Sequence, residues 1–94
     1  MERFGLYIRK LRENANLPLR KLASSLDIDQ STLSKIERGE RQFTLEMIPK
    51  LAKVFSVEFK DLQIMFLKEK ILTDLANQEF ALDAITEVQK ELKG

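Results

Sequence analysis

The chain has no cysteine and no histidine among its 94 residues, and only three glycines and two prolines. Without thiols there can be no disulfide and no thiolate metal site. Without imidazole, zinc loses its other common ligand and histidine-based catalytic triads are excluded. No run of about 18 apolar residues is present, so no membrane span is expected. The opening residues, Met1 to Gly5, lack the basic-then-apolar plan of a secretory signal. No pair of carboxylates or lysines stands out as catalytic, and a small helical chain offers little pocket. An enzyme is therefore not expected, nor are catalytic residues, a metal, a cofactor or a small-molecule ligand.

What remains is 44% hydrophobic and 33% charged, enough for one globular helical unit with a modest core. The net charge of +1 conceals an asymmetry. Residues 1–60 hold 12 Lys and Arg against 8 Asp and Glu, a balance of +4; residues 61–94 hold 4 against 7, a balance of −3. A basic part followed by an acidic part fits a unit that faces a polyanion, joined to one that faces away from it.

The most informative stretch is Leu22 to Gly39. Leu19, Leu22, Ala23 and Leu26 fall three and four apart on one helical face, and Leu33 and Ile36 do the same on the next helix. Ala23 is small enough for two helices to approach at a sharp angle. Asp29 is an N-cap residue and Gly39 suits a left-handed terminating position, which predicts a helix over Gln30 to Arg38. Its outer face holds Gln30, Ser31, Thr32, Ser34 and Lys35. Read alone, that face is also what a solvated helix surface looks like.

Around this pair, Glu2 to Asn14 reads as a first helix with Phe4, Ile8 and Leu11 on its apolar stripe, and Tyr7 beside them. Pro18 opens the second helix. Phe43 is expected in the core. Thr44 is expected to cap a fourth helix whose inner face is Leu45, Ile48, Leu51, Ala52 and Phe55, with Pro49 inside it at the cost of a hydrogen bond and a slight kink. Ser56 is expected to cap a fifth helix containing Phe59 and Leu62.

Residues 4 to 62 resemble the helix-turn-helix family of phage repressors, Cro proteins and xenobiotic-response-element regulators. The resemblance rests on Ile8 to Arg12, Leu22-Ala23, Ile28 to Gly39 and Leu51 to Phe55. The fold it implies is all-α: a five-helix repressor-like DNA-binding domain, residues 1–62, followed by one or two C-terminal helices, residues 63–94. Gln30, Ser31, Thr32, Ser34 and Lys35 become the base-reading set, since Gln pairs with adenine, Lys reaches guanine and the Thr methyl meets thymine. Arg20, Lys21, Arg38, Arg41 and Gln42 become phosphate contacts. Arg12 and Glu37 resemble the family's structural ion pair, although Arg12 alone reads equally as a phosphate contact. Two positions depart from the family pattern: Asp27 stands where a corner glycine is usual, and Leu19 where a phosphate-binding glutamine is common.

Beyond Asp61 the pattern stays helical but becomes densely apolar. Ile64, Leu67, Ile71, Leu75, Phe80, Ile85, Val88 and Leu92 exceed what a five-helix domain can hide, which predicts a dimer interface. The polar run Asn77-Gln78-Glu79 predicts a break, with Asn77 capping a last helix; one long helix to Leu92 is the other arrangement. The expected protein is a homodimeric transcription regulator on double-stranded DNA with a palindromic site, cytoplasmic and bacterial, an autoregulatory repressor or a restriction–modification controller. An antitoxin or protein-interaction adaptor with secondary DNA binding is the competing reading.

Overall fold

A computed structural model describes residues 3–94, which form six helices. They are α1 (Phe4–Asn14), α2 (Leu19–Ser25), α3 (Gln30–Glu37), α4 (Met47–Phe55), α5 (Phe59–Leu75) and α6 (Ala81–Lys93). The all-α expectation holds. The start of the first helix expected at Glu2 lies outside the described residues, and α1 begins at Phe4.

One core joins α1 to α5. Ile8, Leu22, Leu33, Ile48, Leu51 and Leu62 are its fully enclosed side chains. Phe4 binds the periphery together, meeting Phe43 edge-on at 5.7 Å and Phe66 at 5.7 Å. Phe43 is buried, as expected. α5 runs through position 62 without interruption, and Phe66 one turn later belongs to the same core. Among the described residues, none beyond Phe66 is buried. α6 is amphipathic but buries no residue. The shape reflects this: the radius of gyration is 14.9 Å, with extents of 42 × 26 × 21 Å, against roughly 12 Å for a compact chain of this length.

α1, α2, α3 and α4 end in the same way. The residue after the last turn takes a left-handed conformation, at Asn16, Asp27, Gly39 and Ser56, with φ of 54°, 59°, 82° and 54°. Each end is closed by a pair of backbone bonds: Leu17 N–H to the Arg12 carbonyl with Asn16 to Glu13, Ile28 to Ala23 with Asp27 to Ser24, Glu40 to Lys35 with Gly39 to Ile36, and Val57 to Ala52 with Ser56 to Lys53. These bonds satisfy carbonyls that a helix end otherwise leaves open. The helix expected to reach Arg38 therefore stops at Glu37, with Arg38 as its C-cap.

Three expected boundaries are corrected. The fourth helix starts at Met47, not after Thr44, because a turn closed by Met47 N–H on the Thr44 carbonyl precedes it. Thr44 thus contributes its backbone, and no side chain caps α4. Leu45 is exposed rather than on the inner face. Pro49 becomes the third helical residue, where its N–H would have no intrahelical partner, so it removes no bond. Ser56 terminates α4 instead of capping α5, whose N-cap is Glu58. The chain does break near Asn77, which is left-handed at φ 64°, but the N-cap of α6 is Phe80 and not Asn77.

Candidate nucleic-acid interface

α3 is held at both ends by charged side chains. At its start the Asp29 carboxylate accepts a hydrogen bond from the Thr32 N–H at 2.7 Å. That backbone bond holds the Asp29 carboxyl below its usual range, helped by the Thr32 side chain and by the charges of Lys35 and Arg41. Arg41, in the loop after α3, is thus within electrostatic reach of the helix start.

At its end Glu37 is buried and faces Arg12 of α1. The guanidinium meets the carboxylate twice, Nε to Oε2 at 2.8 Å and Nη2 to Oε1 at 3.0 Å, and its Nη1 donates to the Leu17 carbonyl at 3.1 Å. One side chain therefore ties together α1, the α1–α2 corner and α3. The hydrogen bond to Glu37 raises the Arg12 pKa further. The Arg12 side chain is only 14% exposed, which leaves it turned inward.

Leu33, Ile36 and Glu37 mark the inner face of α3. At about 100° per residue, Ser31, Lys35 and Arg38 then lie along the centre of the outer face, with Thr32 and Ser34 on its flanks, while Gln30 falls on the Glu37 side and is exposed because it opens the helix. Gln30, Ser31 and Lys35 are exposed, while Thr32 and Ser34 are half-buried. Arg20 of α2 lines the same shallow depression as Gln30, between α2 and α3, with Ala23 at its floor. Ala23 is buried, and its small side chain belongs to the lining between the two helices. Lys21 is exposed on α2, and Arg41 and Gln42 are exposed on the loop that Phe43 anchors in the core. Leu19, where the family's glutamine is common, packs partly against the core. Asp27 takes the left-handed corner conformation itself.

Three features escaped sequence reading. Gly5 sits where α1 crosses the end of α3: a Cβ there would collide with the Ile36 carbonyl oxygen. A glycine in the first turn of a predicted helix was the available signal, because it costs helix stability unless something needs the space. Glu69 of α5 accepts the Phe4 N–H on both carboxylate oxygens at 3.2 Å, capping α1 from 65 residues away. Nothing local announces that pairing. Finally, Arg38 is engaged within the protein. Its Nη1 donates to the Ser34 hydroxyl at 2.7 Å and its Nε to Glu40 at 2.5 Å.

Residues 8–62 match the family model described as helix-turn-helix. The chain belongs to the helix-turn-helix family. It is 38% identical over 60 residues to the control protein C.BamHI of Bacillus amyloliquefaciens, covering 63% of this chain and 74% of that one. It is 30% identical over 93 residues to an uncharacterized HTH-type transcriptional regulator of Mycobacterium tuberculosis, found alike in two strains. That match covers 94% of this chain, which spans 64% of the length of each mycobacterial relative. No solved structure matches. The family is one of DNA-binding regulators and not of enzymes. Among the described residues, no helix is long and apolar enough to cross a membrane, and no group of acidic side chains is placed to hold a metal ion.

Proposed function

We propose that the protein is a sequence-specific, homodimeric transcription regulator of the bacterial cytoplasm. It binds a palindromic or near-palindromic operator and acts as an autoregulatory repressor or a restriction–modification controller. The observation that carries this reading is α3: a short helix fixed at both ends by Asp29 and Glu37 that presents a continuous polar outer face.

In this reading Gln30, Ser31, Thr32, Ser34 and Lys35 face base edges in the major groove. Arg20, Lys21, Arg41 and Gln42 flank them as phosphate contacts, which position the protein without reading sequence. Arg38 keeps one N–H on Nη1 and both on Nη2 for a phosphate, with its Nε held by Glu40. Arg12 and Glu37 are structural. Residues 1–62 carry DNA recognition and residues 63–94 dimerisation, although Phe66 and Glu69 of α5 also serve the core and the start of α1.

The dimer reading is supported by the apolar residues that the single chain leaves uncovered. Ile64, Ile71, Phe80, Val88 and Leu92 are 54%, 46%, 67%, 52% and 83% exposed, Leu67 is exposed, and Leu75 and Ile85 are half-covered. Three of these, Ile85, Val88 and Leu92, lie on α6, a helix of 13 residues with no buried anchor, and such a stripe does not persist in water without a partner.

Selection of bound duplexes from a random pool tests the whole reading. The expected product is an inverted repeat with half-site centres about 34 Å apart, one helical turn. The double variant Ile71→Glu, Val88→Glu changes only exposed positions and is expected to sediment as a folded monomer with much weaker operator binding. A wild-type protein that sediments as a monomer at assay concentrations would overturn the dimer, and would direct the C-terminal helices to a different protein, as in an antitoxin.

A further inference from the structure

α1, α2 and α4 share a detail that α3 lacks. After each left-handed residue comes an apolar one, Leu17, Ile28 or Val57, packed against the core. This is the usual companion of such a helix end. After Gly39 the corresponding residue is Glu40, and it is exposed. The turn carries its carboxylate back onto Arg38, and Arg38 in turn reaches one helical turn back to Ser34. Position 40 thus orders an arginine on the outer face of α3 where the other helices place a core anchor.

The consequence lies at the Ser34 oxygen. A hydroxyl has one proton to donate and two lone pairs to accept with. One lone pair is occupied by a cationic donor, which draws electron density from the oxygen. That strengthens the remaining O–H as a donor and weakens the second lone pair as an acceptor. The guanidinium beside it also repels the positive end of any incoming N–H. Both effects act in the same direction.

We propose that Arg38, held by Glu40, sets Ser34 as a hydrogen-bond donor, so that this position of the recognition helix selects a base presenting an acceptor in the major groove. Guanine offers N7 and O6 there, adenine N7 and thymine O4, whereas cytosine offers only its amino group. Ser34 is the specificity-determining residue and Arg38 the positioning residue. The proposal rests on the DNA-binding reading above and adds the polarity of one contact to it.

The test is random-pool selection with the wild type, Ser34→Ala, Ser34→Thr, Arg38→Ala and the double variant Ser34→Ala, Arg38→Ala, each first shown to retain its helical circular dichroism. The wild type is expected to favour an acceptor-bearing base, guanine, thymine or adenine, over cytosine about tenfold at one position of each half-site, equivalent to a single well-formed contact. Ser34→Ala and Arg38→Ala should each lose that preference at the same position while the rest of the motif persists. The double variant should lose nothing more there, and Ser34→Thr should keep it. A preference that survives Arg38→Ala overturns the proposal. So does a Ser34→Ala variant that weakens binding to all sequences equally, which is the mark of a phosphate contact. A wild type that enriches no sequence at all overturns the DNA-binding reading itself, and this inference with it.

Discussion

Leu51 on α4 and Leu92 on α6 are the same side chain on two amphipathic helices, yet Leu51 is fully enclosed and Leu92 is 83% exposed. The difference is not one of local sequence. Both helices have an apolar stripe at three- and four-residue spacing. What separates them is what the rest of the chain supplies. Up to Phe66, each helix buries an apolar face within the same chain, although Ile64 already stands exposed on α5; after Phe66, no residue is buried. The spacing of an apolar stripe therefore does not say whether a cover for it lies in the same chain.

The sharpest way to break this comparison is at its boundary. Phe66→Ala removes a buried ring that touches Phe4, and is expected to destabilise folding by about 3–5 kcal/mol. Ile71→Ala, little more than one turn further along the same helix, should cost the isolated chain less than about 0.5 kcal/mol. Urea denaturation of both variants at low protein concentration checks the contrast. If Ile71→Ala proves as costly as Phe66→Ala, then α5 is covered beyond Phe66 and the boundary is misplaced.

Next comes Glu37→Ala. It leaves Arg12 turned inward with only the Leu17 carbonyl for a partner, and is expected to cost about 3 kcal/mol. By contrast Glu87→Ala, which breaks an exposed pair with Lys90 on α6, should cost under about 0.5 kcal/mol. The same denaturation measurement reads both.

Gly5→Ala is expected to cost about 1–3 kcal/mol, because the added methyl meets the backbone of Ile36 and α1 must move away from α3. The operator affinity of the folded variant should also fall, since the end of α3 shifts with that contact. Unchanged stability would show that the two helices have more room than their packing implies.

Asp27→Gly relieves a left-handed non-glycine at the corner between α2 and α3, and is expected to stabilise by up to about 1 kcal/mol. Thermal denaturation measures this gain.

The smallest effect is a pH dependence. Asp29 has its carboxyl held low by the Thr32 N–H, so it contributes stability above the ordinary aspartate range and loses that contribution as pH falls through its lowered value. The Thr32 amide resonance should titrate below the pH of a free aspartate. A midpoint in the ordinary range would mean that the cap is not held in solution.

How much of this was legible depended on how far apart the interacting residues lie. α3 could be read almost to the residue, because Asp29, the apolar pair Leu33 and Ile36, and Gly39 all act within the helix. The break near Asn77 was legible for the same reason. Thr44 and Ser56 misled because serine and threonine serve several kinds of turn: one precedes a tight turn through its carbonyl, the other takes a left-handed position. The Glu69 cap on Phe4 could not be read at all, since no pattern in either segment refers to the other. At the candidate site, the outer face of α3 was visible as a set of residues, but the bonding of Arg38 to Ser34 and Glu40 needed the turn at Gly39 to bring the three together.

That distant cap has a consequence for how the protein is made. Ribosomes add roughly 5–20 residues per second, so the 65 positions between Phe4 and Glu69 take about 3–13 s to synthesise. During that interval the first helix has neither the carboxylate that ends it nor the Phe66 ring that covers Phe4. The nascent chain is therefore left with an open N-terminal turn, and with Phe4 covered on the Phe43 side only, until α5 emerges. Its first structural element is among the last to be completed.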